Sequence, residues 1–180
     1  MSLGLAKRNG RSAVTSHEIR LLTPADAAVF REVRLDGLRQ NPHAFLATFE
    51  HEHAMPISRF EERTLTSSVF GAFVDGELLG VAGYRRQDGT KESHKAILWG
   101  MYVRPKGRNR GLGQDLIEAI VAHASGSIEQ LKLVVTAGNE PAHRLYRRLG
   151  FSEYGRETRA LKHDGRYFDD ILMVRFLVDH

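Results

Sequence analysis

The apolar positions of this chain recur with two different periods, and the alternation between them marks out its elements. Glu18 to Leu22 has the two-residue rhythm of a short strand. Thr23-Pro24-Ala25-Asp26 then supplies an N-cap, a proline at the first helical position and an acid in the first turn. It predicts a helix to about Gln40, with Val29, Val33 and Leu38 among its apolar positions, ended by Asn41-Pro42. A polar loop carrying His43, Glu50, His51, Glu52 and His53 follows, then Met55-Pro56 and a helix over Ile57 to Thr66. Three strands come next, Val69 to Val74, Leu78 to Arg86 and Lys95 to Arg104, with turns at Asp75-Gly76 and near Asp88-Gly89 that make an antiparallel meander. Trp99-Gly100 inside the third strand reads as a bulge, since glycine within a strand often marks one. In Gly111 to Ala124, Leu112, Leu116, Ile117, Ile120 and Val121 fall at spacings of three and four, the stripe of a helix. Gln130 to Thr136 is a compact strand and Asn139 to Leu149 another helix. Phe151 to Leu161 and Tyr167 to Val178 form a long hairpin about Asp164-Gly165. This order predicts an α/β (α+β) domain: a mixed, mostly antiparallel central sheet of about seven strands flanked by about four helices.

Composition narrows the chemistry. The 180 residues suit one domain, over 17–180, preceded by a flexible N-terminal extension over 1–16 that is small, polar and basic (Lys7, Arg8, Arg11) and lacks the apolar stretch of a secretory signal. No stretch approaches the unbroken apolar run of about 20 residues that spans a bilayer, so no membrane partner is expected. Without cysteine there is no disulfide framework, thiolate metal site or cysteine nucleophile, and the expected setting is the cytoplasm. His51 and His53 about Glu52 have no further ligand at recognisable spacing, so they read as surface histidines and no metal is expected. The net charge of +4 favours an anionic ligand.

The informative stretch is Met101-Tyr102-Val103-Arg104-Pro105-Lys106-Gly107-Arg108-Asn109-Arg110-Gly111-Leu112-Gly113, which joins a strand to a helix. Two glycines at the helix start leave its first backbone N–H groups unobstructed, the helix dipole adds to their pull, and Arg104, Lys106, Arg108 and Arg110 stand close by. That is a cradle for a diphosphate. A phosphate loop of the Walker type needs Lys-Ser/Thr after its second glycine, where this chain has Gln114-Asp115. The dinucleotide fingerprint needs a glycine at Leu116. Neither fits.

What Arg108-x-x-Gly111-x-Gly113 resembles is the R/Q-x-x-G-x-G/A signature of the GCN5-related N-acetyltransferase (GNAT) superfamily. Asn139-Glu-Pro-Ala142-His-Arg-Leu145-Tyr146-Arg-Arg-Leu149-Gly150-Phe151 resembles that superfamily's N-x-x-A-x-x-L-Y-x-x-x-G-F segment. The resemblance covers roughly Glu18 to Val178 and implies acetyl transfer from acetyl-CoA to a primary amine, on a small molecule, a peptide or a protein N-terminus, by direct attack in a ternary complex. It implies that backbone at Met101, Tyr102 and Val103 holds the pantetheine arm and that Arg108, Asn109, Arg110, Gly111, Leu112 and Gly113 hold the pyrophosphate, with Arg148 near the cofactor. It assigns Asn139 to the pantetheine or to ordering the amine, and Tyr146 to the departing sulfur. A homodimer is left open by analogy.

Many superfamily members carry a glutamate on the strand before the cofactor loop, whereas this chain reads Ile97-Leu98-Trp99-Gly100-Met101. The group that accepts the amine's proton therefore stays open among Glu50, His94, an ordered water chain and the more remote Asp169. The Pro42 to Met55 loop and the Leu161 to Tyr167 hairpin are expected to shape the acceptor site. Two other readings stand beside the enzyme: a CoA-binding sensor without turnover, and a basic nucleic-acid module built on Arg104, Arg108, Arg110, Arg144, Arg147 and Arg148, which lacks a groove-reading motif.

Overall fold

The computed structural model describes residues 17–178, so the extension expected at 1–16 lies outside the described residues. Strand β1 (His17–Leu21) leads through a 3-10 turn at Pro24–Asp26 into α1 (Ala27–Gln40). The helix entry forms as its residues predict. Thr23 N–H donates to the Asp26 carboxylate at 2.8 Å, and Asp26 N–H donates to the Thr23 carbonyl at 2.9 Å. Arg20 adds two hydrogen bonds to the same carboxylate, at 2.8 and 2.9 Å, and holds it well below the usual carboxylate range. The buried face of α1 runs through Phe30, Val33, Arg34, Gly37 and Leu38, while Val29 is turned to solvent.

A second 3-10 turn, Pro42–Ala44, precedes α2 (Phe49–His53) and α3 (Ile57–Thr66). The stretch expected to be an open polar loop thus contains a helix. Thr48 Oγ1 caps it by accepting from His51 N–H at 3.3 Å. A five-residue helix is too short to hold by itself, and Glu52, only 2% exposed, ties it to its neighbours.

The rest of the chain is β2 (Ser68–Val74), β3 (Glu77–Arg86), β4 (Lys95–Val103), α4 (Leu112–Ala124), β5 (Gln130–Thr136), α5 (Glu140–Arg148), β6 (Ser152–His163) and β7 (Arg166–Phe176). The strands form one seven-stranded sheet in the order β1-β2-β3-β4-β5-β7-β6, antiparallel except between β4 and β5, which is the mixed α/β architecture expected. Near the middle, β3 buries Leu78 through Tyr84 without alternation, because both faces of the sheet are covered. On one face Leu116, Ile117 and Ile120 of α4 pack on Leu131, Leu133 and Met173. On the other, Phe30 and Val33 of α1 and Phe60 of α3 pack on Val69, Val81 and Tyr102. Each fully buried side chain of this size contributes roughly 1.5–3 kcal/mol. Among the described residues no helix is long and apolar enough to cross a membrane.

Candidate active site

The central feature is a place where the sheet comes apart. β4 and β5 pair only over Lys95–Ile97 and Gln130–Lys132; beyond those positions β5 stays with β7 and β4 with β3. The divergence coincides with an irregularity in β4. Gly83 pairs with Trp99 and Val81 with Tyr102, so β4 advances one residue more than β3 and carries the bulge expected at Trp99-Gly100. Gly100 has φ +68°, a left-handed conformation that costs a glycine least. Just past β4, Arg104 N–H donates to the Leu79 carbonyl at 2.8 Å. Alternation along the strand therefore turns the N–H and C=O of Val103, and with them those of Met101, to the edge that β5 has left.

The opening is a cleft of about 690 Å³. It gathers, in one wall or another, Met101, Tyr102, Val103, Arg108, Asn109, Gly111, Leu112, Gly113, Asn139, Tyr146 and Arg148. Of the residues that the resemblance assigned to the cofactor, Arg110 stands outside that lining, exposed on the loop above it. Asn109 and Gly111 both have positive φ, 59° and 80°, and turn the chain sharply into α4. Gly111 is the N-cap and offers no side-chain cap, so the first-turn N–H groups of α4 lack an intrahelical partner and face outward. Leu112 is buried in the core, which leaves its backbone as the part that meets the cleft. Free first-turn donors of this kind can accept an anion, and their number and placement are compatible with a pyrophosphate. The charge around them is smaller than the sequence suggests. Arg104 bonds to Asp36 and Lys106 to Glu77, whereas Arg108 stays at the cleft, its Nε donating to the Val103 carbonyl at 3.2 Å. The arginines that motivated a nucleic-acid reading are likewise dispersed, since Arg144 pairs with Glu140 on the outer side of α5 and Arg148 lines the cleft.

The opposite wall comes from α5. Its N-cap, Asn139, spends its side-chain oxygen on Ala142 N–H at 3.4 Å, which leaves the Asn139 amide nitrogen for the cleft. Tyr146 is 5% exposed and packs edge-on against Phe151, with ring centroids 5.8 Å apart. Burial pushes its hydroxyl well above the ordinary phenol value, so the group stays protonated throughout the working pH range.

The mouth on the α1 side is formed by Asn41, Ala44, Phe45, Trp99 and Gly100. The turn after α1 is pinned across the opening, where Thr136 Oγ1 donates to the His43 carbonyl at 3.2 Å and Phe168 stacks on His43 at 5.3 Å. The part of the Pro42 to Met55 stretch next to the turn thus does border the cleft, whereas residues 161–167 contribute nothing to its lining. Below the mouth lies a network the sequence reading missed. Arg34, 7% exposed, bonds bidentately to Glu52 at 3.0 and 3.1 Å, and Arg63 reaches the same carboxylate at 2.9 Å. Burial pushes the Glu52 carboxyl up, but the two guanidiniums outweigh it and hold it below its usual value. The signal was present: a charged residue within the 30-33-34-37-38 stripe of a helix faces the core and needs a partner.

The residues considered as proton acceptors are not gathered. Glu50 is exposed on α2. His94 precedes β4, six residues and about 20 Å of strand from Gly100. Asp169 is occupied by Arg156 at 2.9 Å and by Arg159 N–H at 2.8 Å. Its neighbour Asp170 differs: it is buried opposite Thr136 in the β5–β7 pairing, its Oδ1 has no hydrogen-bond partner among the described residues, and burial raises its carboxyl pKa.

Comparison with known proteins agrees with this architecture. Residues 32–151 match the model of the acetyltransferase (GNAT) family, and the chain belongs to that family. It is 26% identical over 106 residues to the L-amino acid N-acetyltransferase AaaT of Escherichia coli K12, a match covering 58% of this chain and 65% of that protein. It is 30% identical over 95 residues to the L-methionine sulfoximine/L-methionine sulfone acetyltransferase of Pseudomonas aeruginosa PAO1, covering 52% and 55%. The chain thus spans less than two thirds of the length of these curated relatives. Among solved structures, yncA from Salmonella typhimurium, described with its cofactor acetyl-CoA, superposes with a TM-score of 0.78 at 20% identity over 92% of this chain and 96% of that one, a likeness of fold.

Proposed function

We propose that the protein transfers the acetyl group of acetyl-CoA to the primary amine of a small molecule, by direct attack within a ternary complex. The observation that carries this reading is the parting of β4 from β5, which joins outward-facing strand amides, the uncapped start of α4 and Tyr146 in one cleft. Acetyl-CoA supplies the activated acyl carbon: an N–C bond forms as the C–S bond breaks, the sulfur leaves with the electron pair, and the proton shed by the attacking nitrogen passes to solvent. The N–H groups of Gly111 to Gly113 hold the pyrophosphate, with Arg108 and Arg148 lending charge. Backbone at Met101 and Val103 takes the pantetheine arm as a further strand would, and a donor there polarises the thioester carbonyl. The small-molecule acceptor is supported by the relatives, whose names give L-amino acids and L-methionine sulfoximine or sulfone as substrates.

Tyr146 donates a hydrogen bond to the departing sulfur. A model thiol has a pKa of about 8.5 and a model phenol about 10, and burial widens that gap, so the hydroxyl keeps its proton and stabilises charge without giving it up. Tyr146→Phe is expected to lower kcat by about 10- to 100-fold while leaving acetyl-CoA affinity within a few-fold. Thiol release measured against a panel of amines, with calorimetry of acetyl-CoA binding, tests both parts. An unchanged kcat removes Tyr146 from the mechanism, and no thiol release with any amine, despite tight acetyl-CoA binding, leaves the sensor reading in its place.

A further inference from the structure

The free amides at the start of α4 have a carboxylate beside them. Asp115 is the acid in the helix's first turn, and its Oδ2 lies 3.6 Å from where a Cβ on Gly111 would stand. The four residues before it, Gly111, Leu112, Gly113 and Gln114, line the cleft. The Asp115 N–H closes the first hydrogen bond of the helix, to the Gly111 carbonyl at 3.1 Å, so the unpaired donors are those just ahead of it. An acid in this place ordinarily steadies a helix by facing its positive end. Here that end is also where phosphates would be drawn, and a charge that suits the helix alone repels them. Little cationic charge stands against it, because Arg104 and Lys106 are held by Asp36 and Glu77. The compensation comes from the far edge of the sheet. His17 opens β1, 98 residues away in sequence, and its Nε2 stands 2.6 Å from Asp115 Oδ2, where α4 crosses the sheet face to reach β1. An ionised carboxylate only accepts, so the imidazole N–H donates. Among the described residues no other side chain pairs with that carboxylate. The two side chains are 31% and 32% exposed, so as a fastening between β1 and α4 the pair contributes little. What distinguishes it is its place beside the phosphate donors.

We propose that His17 is a positioning residue for the cofactor: by holding and offsetting the Asp115 carboxylate, it keeps the first turn of α4 open to the pyrophosphate of CoA. This rests on the CoA-binding part of the reading above and deepens it. His17 acts through Asp115 and does not touch the ligand. The N–H dipole of its ring, or its full charge when protonated, cancels part of the field that the phosphates meet. Without it, the carboxylate regains its whole charge next to the donors that the phosphates need.

Calorimetry of CoA binding to the full chain tests this, at low salt and again at about 0.5 M salt, where exposed charges are screened over a few ångströms. His17→Ala should weaken CoA binding about three- to fivefold at low salt, and the loss should shrink to within about twofold at high salt. Asp115→Asn should instead tighten binding by about two- to fivefold, and adding His17→Ala to it should change affinity by less than about twofold. A purely structural fastening predicts otherwise: loosening β1 from α4 weakens binding whichever partner is changed, and does so at either salt concentration. Equal CoA affinity in the parent and in His17→Ala, a loss that persists undiminished at high salt, or unchanged or weaker binding in Asp115→Asn each overturns the inference. The Asp115→Asn arm keeps a side chain of the same size and does not depend on the His17 variant folding. Thiol release with amines separates this inference from the acetyl-transfer reading. CoA binding that responds as stated while no amine is acetylated leaves the role of His17 standing and removes acetyl transfer. An active enzyme whose CoA affinity ignores both substitutions does the reverse, and a parent protein that binds no CoA overturns both.

Discussion

Gly37 sits in the middle of α1, where alanine ordinarily stabilises a helix by about 1 kcal/mol. Here a Cβ would lie 2.9 Å from Cγ of the Tyr102 ring, a rigid part of a side chain wedged between α1 and β4. Gly37→Ala should therefore lower stability by about 1–3 kcal/mol, read by denaturant unfolding, and disturb the strand that borders the cleft. Asp26 behaves in the opposite way at the other end of the helix. Its folded pKa is depressed by Arg20, so its contribution is present at neutral pH and is lost as pH falls below the unfolded carboxylate value of about 4. Asp26→Asn should cost about 1 kcal/mol at pH 7, and the difference from the parent should fade in melts run below about pH 4. The capping residues were legible because cap chemistry is local. The pairing of Arg104 and Lys106 was not, because Asp36 and Glu77 reach them from distant parts of the chain, and proximity to a glycine-rich turn made all four cations look available.

At the scale of elements, strands and long helices lay within a residue or two of where the periodicity put them, since each presents an apolar face to a core that lies on both sides of the sheet. The exception, α2, has too few residues to show a period, and its existence depends on Glu52 reaching Arg34 on α1 and Arg63 on α3. Removing that carboxylate leaves two guanidiniums buried together. Glu52→Gln should cost about 3 kcal/mol and raise hydrogen exchange across α2 before it does so in α4. The network's pH sense follows from the lowered Glu52 pKa: its contribution holds above the ordinary glutamate value and declines as pH drops through the folded one. The candidate site divides in the same way. Its anion cradle and tyrosine were readable from short motifs, whereas Phe45 and Thr136 come from segments that meet only in the folded sheet.

For the molecule as a whole, the two flanking cores hold different halves of the opening. α1 and α3 support β4 from one face while α4 and α5 lean on β5 from the other, and the two strands share hydrogen bonds only at Lys95–Ile97. A sheet left unfinished along such a seam has amides in its interior that no neighbouring strand shields. Those of Met101 and Val103 should trade their hydrogens with solvent far faster than Tyr102 between them, which turns toward β3. Saturating CoA should slow that trade at just these two positions, so a map of deuterium uptake would trace, residue by residue, the edge where a ligand stands in for an eighth strand.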